Sequence, residues 1–291
     1  MKTIKQCKIE YINLLKENNV EDSNSIVSLI MQKVLNVSKQ YLLINDNENI
    51  SEEKENSIKE YVNKVIEGTP IEYITNNKEF MNCNIYVNEN VLIPRQDTEI
   101  LVESILDVLK NNFLDKESIK ILDMCTGSCC ISIGLLKYLK QNNKELFDKI
   151  HITAADISKD ALEVSKVNVE NNNLIDKITL VNSDLFENIK DKFDIIVSNP
   201  PYIRKDDIAF LDRNVKKEPI LALDGGIDGL DFYNKISNNG REFLNDNGYI
   251  LYEIGYDQAN EVKNILQNNQ YKDIKVIKDL SQNDRVVIAI K

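Results

Sequence analysis

Apolar residues recur at three- and four-residue spacing along the first quarter of the chain: Ile4, Cys7, Tyr11, Leu14 and Leu15, then Ile26, Leu29, Ile30, Val34 and Val37. This spacing places them on single helical faces. A third helix is predicted from Ser51, where Ser-Glu-Glu-Lys has the form of an N-terminal helix signal. Its apolar stripe runs through Ile58, Tyr61, Val62, Val65 and Ile66 to a stop at Gly68. Residues 1–75 are therefore expected to form a small helical domain. From Glu79 the period changes to two. Phe80, Asn82, Asn84 and Tyr86 alternate with Met81, Cys83, Ile85 and Val87, and Asn88-Glu89-Asn90 supplies turn chemistry before Val91-Leu92-Ile93. A β-hairpin over 79–93 is expected to link two domains.

Beyond the hairpin, helical and strand patterns alternate. Helices are predicted over 98–113, 128–141, 158–171 and 230–243 and after Asp257, with strands over 119–123, 150–155, 178–181, 193–197 and 249–253. Repeated strand–helix units imply an α/β fold, a mostly parallel sheet with helices on both faces. Two last strands, 274–277 and 286–290, leave no room for a crossover helix between them, so they must be antiparallel neighbours. The second domain is thus expected over 76–291, with its Rossmann-like part over 94–291.

Hydrophobic residues make up 42% of the 291 and charged residues 29%, enough apolar material for a core in each domain. No stretch approaches a membrane span and the N-terminus lacks a secretory pattern, so a cytoplasmic protein is expected. The net charge of -11 has the wrong sign for a protein that works by neutralising phosphates, which disfavours direct nucleic acid binding. Five cysteines without scaffold-like spacing read as reduced thiols. The one histidine, His151, lies in an apolar run that reads as a buried strand. Chemistry that needs histidine clusters, such as serine hydrolysis or a zinc centre, is excluded, and no metal is expected.

In a doubly wound sheet, ligands bind beyond the carboxyl ends of the strands. The first such end is Asp123-Met124-Cys125-Thr126-Gly127-Ser128-Cys129. It resembles the first motif of class I S-adenosylmethionine-dependent methyltransferases, with cysteines at two positions where glycine is usual. Glycine permits positive φ there, so cysteine should either tighten the fit or disfavour the backbone. After the next strand, Asp156 offers two acceptor oxygens, complementary to the two hydroxyls of a ribose. After the third, Asp184 and Leu185 provide a second carboxylate and an apolar wall suited to an adenine. The fourth strand runs into Asn199-Pro200-Pro201-Tyr202. Two prolines fix that turn and remove two amide donors. The Asn199 side-chain oxygen and the Pro200 carbonyl can then accept both protons of a planar NH2 group, with the Tyr202 ring covering the substrate plane or lying near a sulfonium charge.

With these motifs the sequence resembles the release factor glutamine methyltransferases, the PrmC/HemK family. The resemblance extends over nearly the whole chain. It includes Gly68 to Ile74, Val91-Leu92-Ile93-Pro94-Arg95-Gln96-Asp97-Thr98-Glu99 with Gln96 where proline is usual, Glu218-Pro219, Ala222 to Leu230, and Glu253 to Gln258. It implies a class I methyltransferase fold with an antiparallel final strand. It also implies methyl transfer from S-adenosylmethionine to the side-chain amide of the glutamine in the Gly-Gly-Gln motif of peptide chain release factors. Carried over by position, cofactor contacts come from Cys125, Thr126, Gly127, Ser128, Cys129, Asp156, Asp184, Leu185 and Asn199. Asn199, Pro200, Pro201 and Tyr202 hold the glutamine, and the N-terminal helices dock the release factor. A monomer is expected. Arg95 and Glu99 read equally as a tie between hairpin and catalytic part or as a substrate contact, and Glu218-Pro219 as a loop turn or as lining of the site. The competing readings are an amino-methyltransferase acting on adenine in nucleic acid, and a non-catalytic remnant of the fold.

Overall fold

The computed structural model describes residues 1–291. The chain divides into two compact units, Met1–Asn77 with Asp212–Lys217, and Lys78–Leu211 with Glu218–Lys291. The first holds five helices: α1 (Ile4–Glu17), α2 (Ser23–Leu35), α3 (Lys39–Ile44), α4 (Glu52–Ile66) and α5 (Ile71–Thr75). Helix α1 starts in a capping box, with the Gln6 amide donating to Thr3 Oγ1 and the Thr3 amide donating to Gln6 Oε1. Helix α4 starts at Ser51, whose hydroxyl accepts from the Lys54 amide, and three glutamates in its first turn favour the helix dipole. Ile4, Cys7, Tyr11, Leu15, Val27, Ile30, Met31, Ile58 and Val62 close into one core. The short helices α3 and α5 have too few turns to show a period, which is why the sequence pattern passes over them.

The second unit opens with a hairpin of β1 (Lys78–Phe80) and β2 (Cys83–Ile85), and continues through α6 (Glu99–Asn112), β3 (Ile119–Met124), α7 (Cys130–Asn142), α8 (Lys144–Lys149), β4 (Ile150–Asp156) and α9 (Lys159–Asn171). It closes with β5 (Ile178–Asn182), β6 (Phe193–Ser198), α10 (Asp231–Phe243), β7 (Leu244–Glu253), α11 (Ala259–Asn268), β8 (Lys272–Lys278) and β9 (Asp284–Ile290). Seven strands pair in the order β5-β4-β3-β6-β7-β9-β8. The first five are parallel, and β9 is antiparallel to both β7 and β8. This is the expected mixed sheet. Strand β6 is buried throughout, as a central parallel strand covered on both faces must be. Its one charge, Asp194, is matched by Lys116, by the Lys120 amide and by Asn245. No helix is long and apolar enough to cross a membrane.

Three local expectations change. The hairpin turns at Met81-Asn82, with Phe80 paired to Cys83 and both turn residues at positive φ; Asn88 to Asn90 do form the expected turn, the Val91 amide donating to the Asn88 carbonyl at 3.2 Å and the Asn90 amide to Asn88 Oδ1 at 3.0 Å, but it joins no strand pair. Positive φ at both central positions matches the twist of a tight hairpin. The Met81 amide donates to Glu99 Oε1 at 2.7 Å, so Glu99 ties the turn to the start of α6. Residues 91–93 are not a strand: the Ile93 amide donates to Glu218 Oε2 at 3.0 Å instead of joining a ladder. His151, expected in a buried strand, does lie in β4, but its side chain is exposed between buried Ile150 and Ile152. The pleat turns alternate residues outward. It also stands at the amino end of β4, opposite the carboxyl ends that carry the candidate site.

Candidate active site

The carboxyl ends of β3, β4, β5 and β6 meet around two adjoining clefts that share part of their lining. The larger is lined by Cys125, Thr126, Gly127, Ser128, Asp156 and Asn199, with Arg95, Pro201 and Leu221 at its walls. The smaller shares Cys125, Asp156, Pro201 and Leu221 and adds Asp184, Leu185 and Phe232. Thus the residues read from four separate strand ends do converge. Cys129 is fully buried behind the loop and does not line either cleft. Pro200 and Tyr202 also stay off the lining, and the Tyr202 hydroxyl is directed at Glu253 Oε1, 3.4 Å away. The Tyr202 ring, expected over a substrate plane, is in this arrangement a prop for the turn.

The loop after β3 keeps the backbone that glycines would give. Cys125, Gly127 and Cys129 have φ of +61°, +56° and +64°. The left-handed region costs an ordinary residue roughly 1–2 kcal/mol, so neighbouring groups must hold it. Asp123 Oδ2 accepts from the hydroxyls of Thr126, at 2.8 Å, and Ser132, at 2.6 Å. Asp156 Oδ2 accepts from the Gly127 amide at 2.9 Å. From α9, the Ser165 hydroxyl donates to the Gly127 carbonyl and Asn168 Nδ2 donates to the Ser128 carbonyl. Asn168 also brackets the Tyr86 backbone, accepting from its amide and donating to its carbonyl. One helix therefore fixes the loop and the chain leaving the hairpin together. Sequence reasoning did not find Ser165 or Asn168, since polar residues on a helix face carry no local signal of what they meet.

Burial pushes the Asp123 carboxyl up to about 6, against its hydrogen bonds from Ser132 and Thr126. The Asp156 carboxyl is raised for the same reason, partly offset by the amides of Ser158 and Gly127. The Cys125 and Cys129 thiols are pushed well above their ordinary value by burial and then by the nearby carboxylates, and Cys130 to about 12. Such thiols are not nucleophiles at neutral pH.

After β6 the turn is built from both sides. The Ser198 hydroxyl donates to the Met124 carbonyl at 2.6 Å, tying the ends of β6 and β3. Asn199 Nδ2 donates to Thr98 Oγ1 at 3.3 Å, while Asn199 Oδ1 is buried without a hydrogen-bond partner. A buried acceptor left bare costs about 1–3 kcal/mol, and this one belongs to a residue lining the larger cleft.

Residues 98–217 match the family described as Methyltransferase small domain, and residues 9–75 match the PrmC N-terminal domain. A release factor glutamine methyltransferase of Clostridium acetobutylicum is 41% identical, with 99% of this chain and 98% of that one covered. One of Clostridium botulinum is 41% identical over 99% of each. The chain belongs to the release factor glutamine methyltransferases. Among solved structures, the hMettl16 catalytic domain, crystallised with MAT2A 3′UTR hairpin 6, superposes with a TM-score of 0.56 at 17% identity, over 70% of this chain and 74% of that one. That likeness shows the methyltransferase fold. Members of the glutamine methyltransferase family are S-adenosylmethionine-dependent enzymes, and the clefts fit that cofactor. A Cβ built at Gly127 would meet nothing within 4 Å, so the loop faces open space. Each Asp156 oxygen carries one backbone amide, Gly127 on one and Ser158 on the other, and keeps a further lone pair for a hydroxyl.

The other segments of this glutamine methyltransferase that resembled its family now have physical roles. Arg95 pairs with Glu218 at 2.5 Å, and Glu218, almost wholly buried, also takes the Ile93 amide. Glu218 is therefore an anchor, whereas Pro219 next to it lines the larger cleft. The glycines of 225–229 seat the Asn-Pro-Pro-Tyr turn: a Cβ at Gly225 would stand 2.7 Å from Tyr202 Cα, and one at Gly229 2.4 Å from the Tyr202 carbonyl oxygen. Gln258 Nε2 donates to that same carbonyl at 3.0 Å.

Proposed function

We propose that this protein transfers a methyl group from S-adenosylmethionine to the side-chain amide nitrogen of the glutamine in the Gly-Gly-Gln motif of peptide chain release factors. The observation that carries this reading is the unpartnered Asn199 Oδ1. A carboxamide NH2 has two protons, and Asn199 Oδ1, on a residue that lines the larger cleft, is a free acceptor for one of them. Bound S-adenosylmethionine supplies an electrophilic methyl on a sulfonium. Asp156 holds its ribose diol, Asp184 and Leu185 flank its adenine, and the backbone from Cys125 to Ser128 lies along its remaining part. Asn199 and the rigid proline turn keep a weakly nucleophilic nitrogen in line with the methyl, and positioning of this kind is worth on the order of 7 kcal/mol of barrier. No strong base is needed. The protein is read as a monomer working in the cytoplasm, and the helices of residues 1–75 as the release factor docking surface.

The test is methyl transfer from labelled cofactor to a folded release factor, followed by peptide mass mapping. Label is expected on the Gly-Gly-Gln glutamine. Asn199→Ala is expected to lower the rate by about 10² to 10³, the loss typical of a removed transition-state contact, while largely sparing cofactor affinity. Label in nucleic acid, or on another release factor residue, would overturn the assignment.

A further inference from the structure

Asparagine can serve as an acceptor only if its amide is the right way round, since a flipped side chain would present NH2 to the NH2 of the substrate. Inside this protein the orientation is set by what Asn199 meets on its other side, the Thr98 hydroxyl, to which Nδ2 donates at 3.3 Å. A threonine hydroxyl has a single proton. Once Thr98 accepts from Asn199, its own proton is left for another acceptor; Glu253, whose carboxylate Thr98 helps to stabilise, keeps a buried Oε2 with no hydrogen-bond partner in this structure. Glu253 ends β7. Ser198 is level with Tyr252 across the parallel β6–β7 pair, so Asn199 and Glu253 leave neighbouring strands at the same height. Glu253 is 1% exposed, takes the Tyr202 hydroxyl on Oε1, and has no partner on Oε2. It lines neither cleft.

We infer that Glu253, acting through Thr98, is a positioning residue that fixes the orientation of the Asn199 amide and so makes Asn199 an acceptor for the glutamine nitrogen. The inference rests on the reading of Asn199 given above. With Glu253 ionised, the carboxylate draws the Thr98 proton, Thr98 accepts from Nδ2, and Oδ1 is left as the unpartnered acceptor of a residue that lines the cleft. With Glu253 protonated, the acid donates to Thr98 Oγ1, the threonine proton turns to Asn199, and the amide flips with its NH2 toward the cleft. Desolvation pushes Glu253 up to about 7, against Thr98, Arg285 and Tyr202, which favour the carboxylate, and with Asp97, which opposes it. Tyr233 and Cys130 also lie within electrostatic reach and, raised by their own burial, stay neutral through this range. Arg285 is itself held by Asp97 and Asp279, each at 3.0 Å, so its charge is stationary.

The experiment measures kcat and KM for a folded release factor across about pH 6 to 9, with S-adenosylhomocysteine affinity measured alongside. Wild-type kcat should fall as pH drops below about 7, by roughly tenfold per unit as for one essential ionisation. Thr98→Val should lower kcat by roughly 10- to 100-fold, the effect of misplacing a reacting group, with cofactor affinity and release factor KM nearly unchanged. Thr98→Ser, which restores a hydroxyl, should recover most of the rate. Glu253→Gln mimics the protonated acid, so it should be slow throughout and lack the acid limb. That profile decides the matter if Thr98→Val does not fold. A Thr98→Val rate equal to wild type, or an acid limb that persists in Glu253→Gln, overturns this inference alone. A wild-type protein that binds S-adenosylhomocysteine but never labels the glutamine overturns the functional reading and this inference with it.

Discussion

Replacing Asp156 by asparagine separates two jobs that one carboxylate performs. Its oxygens accept from the Gly127 and Ser158 amides, each at 2.9 Å. Hydrogen bonds to a charged acceptor are worth about 1.5–3 kcal/mol each. Asparagine has only one oxygen, so its NH2 must face one of those two amides, donor against donor. One charged bond becomes neutral and the other is lost. The carboxylate is itself raised by burial, so removing the charge returns part of that loss. A net destabilisation of about 1–2 kcal/mol is expected, read as a fall of a few degrees in the thermal midpoint of the protein without cofactor. The same change leaves one acceptor where a ribose diol needs two. S-adenosylhomocysteine affinity should then weaken by about 1.5–3 kcal/mol, roughly 10- to 150-fold. Calorimetric titration gives the second number and scanning calorimetry the first. An affinity within about twofold of wild type, a difference of about 0.4 kcal/mol, would show that the diol is held elsewhere, whatever the midpoint does. A weakened affinity with an unmoved midpoint would refute the account of how the loop is held.

Gly225→Ala should be far more damaging than an added methyl suggests, because its Cβ would stand 2.7 Å from Tyr202 Cα and 2.8 Å from the Pro201 carbonyl oxygen, both backbone. Overpacking of this kind costs roughly 1–3 kcal/mol, and methyl transfer should drop more than cofactor affinity, since the displaced turn carries Asn199; equal losses of both would argue against that link. Cys125→Gly should leave stability nearly unchanged, relief of left-handed strain being offset by the greater entropy of unfolded glycine, each about 1 kcal/mol. Its S-adenosylhomocysteine affinity should hold or improve, and a clear loss would mean that the thiol touches the ligand. Cys129→Gly removes a fully buried side chain and should lower the midpoint by the equivalent of about 1 kcal/mol, without weakening binding as strongly as Asp156→Asn.

The linear order of residues determined much of this protein by itself. The helical faces of the first unit, the alternation of strands and helices, and the antiparallel last pair follow from apolar spacing and from how short a link can be, both local properties. The strand-end residues that form the clefts could be found too, because a doubly wound sheet brings the carboxyl ends of its parallel strands to one edge whatever the intervening helices contain. Even the cysteines of the cofactor loop were visible as departures from glycine. Whether they would keep the glycine backbone was not, because the answer lies in Asp123, Asp156, Ser165 and Asn168, groups up to 40 positions away from Ser128 in the chain. The hairpin turn went to Met81-Asn82 against the stronger turn residues at 88–90 because Glu99 and Glu218 claim the amides of Met81 and Ile93. Thr98 and Glu253 lay in segments that resembled the family, yet nothing local marks a threonine and a glutamate 155 positions apart as neighbours of Asn199. Only the strand order puts β7 beside β6. A hydrogen bond depends on two groups being brought within about 3 Å, and for residues distant in sequence that proximity is set by the packed sheet alone.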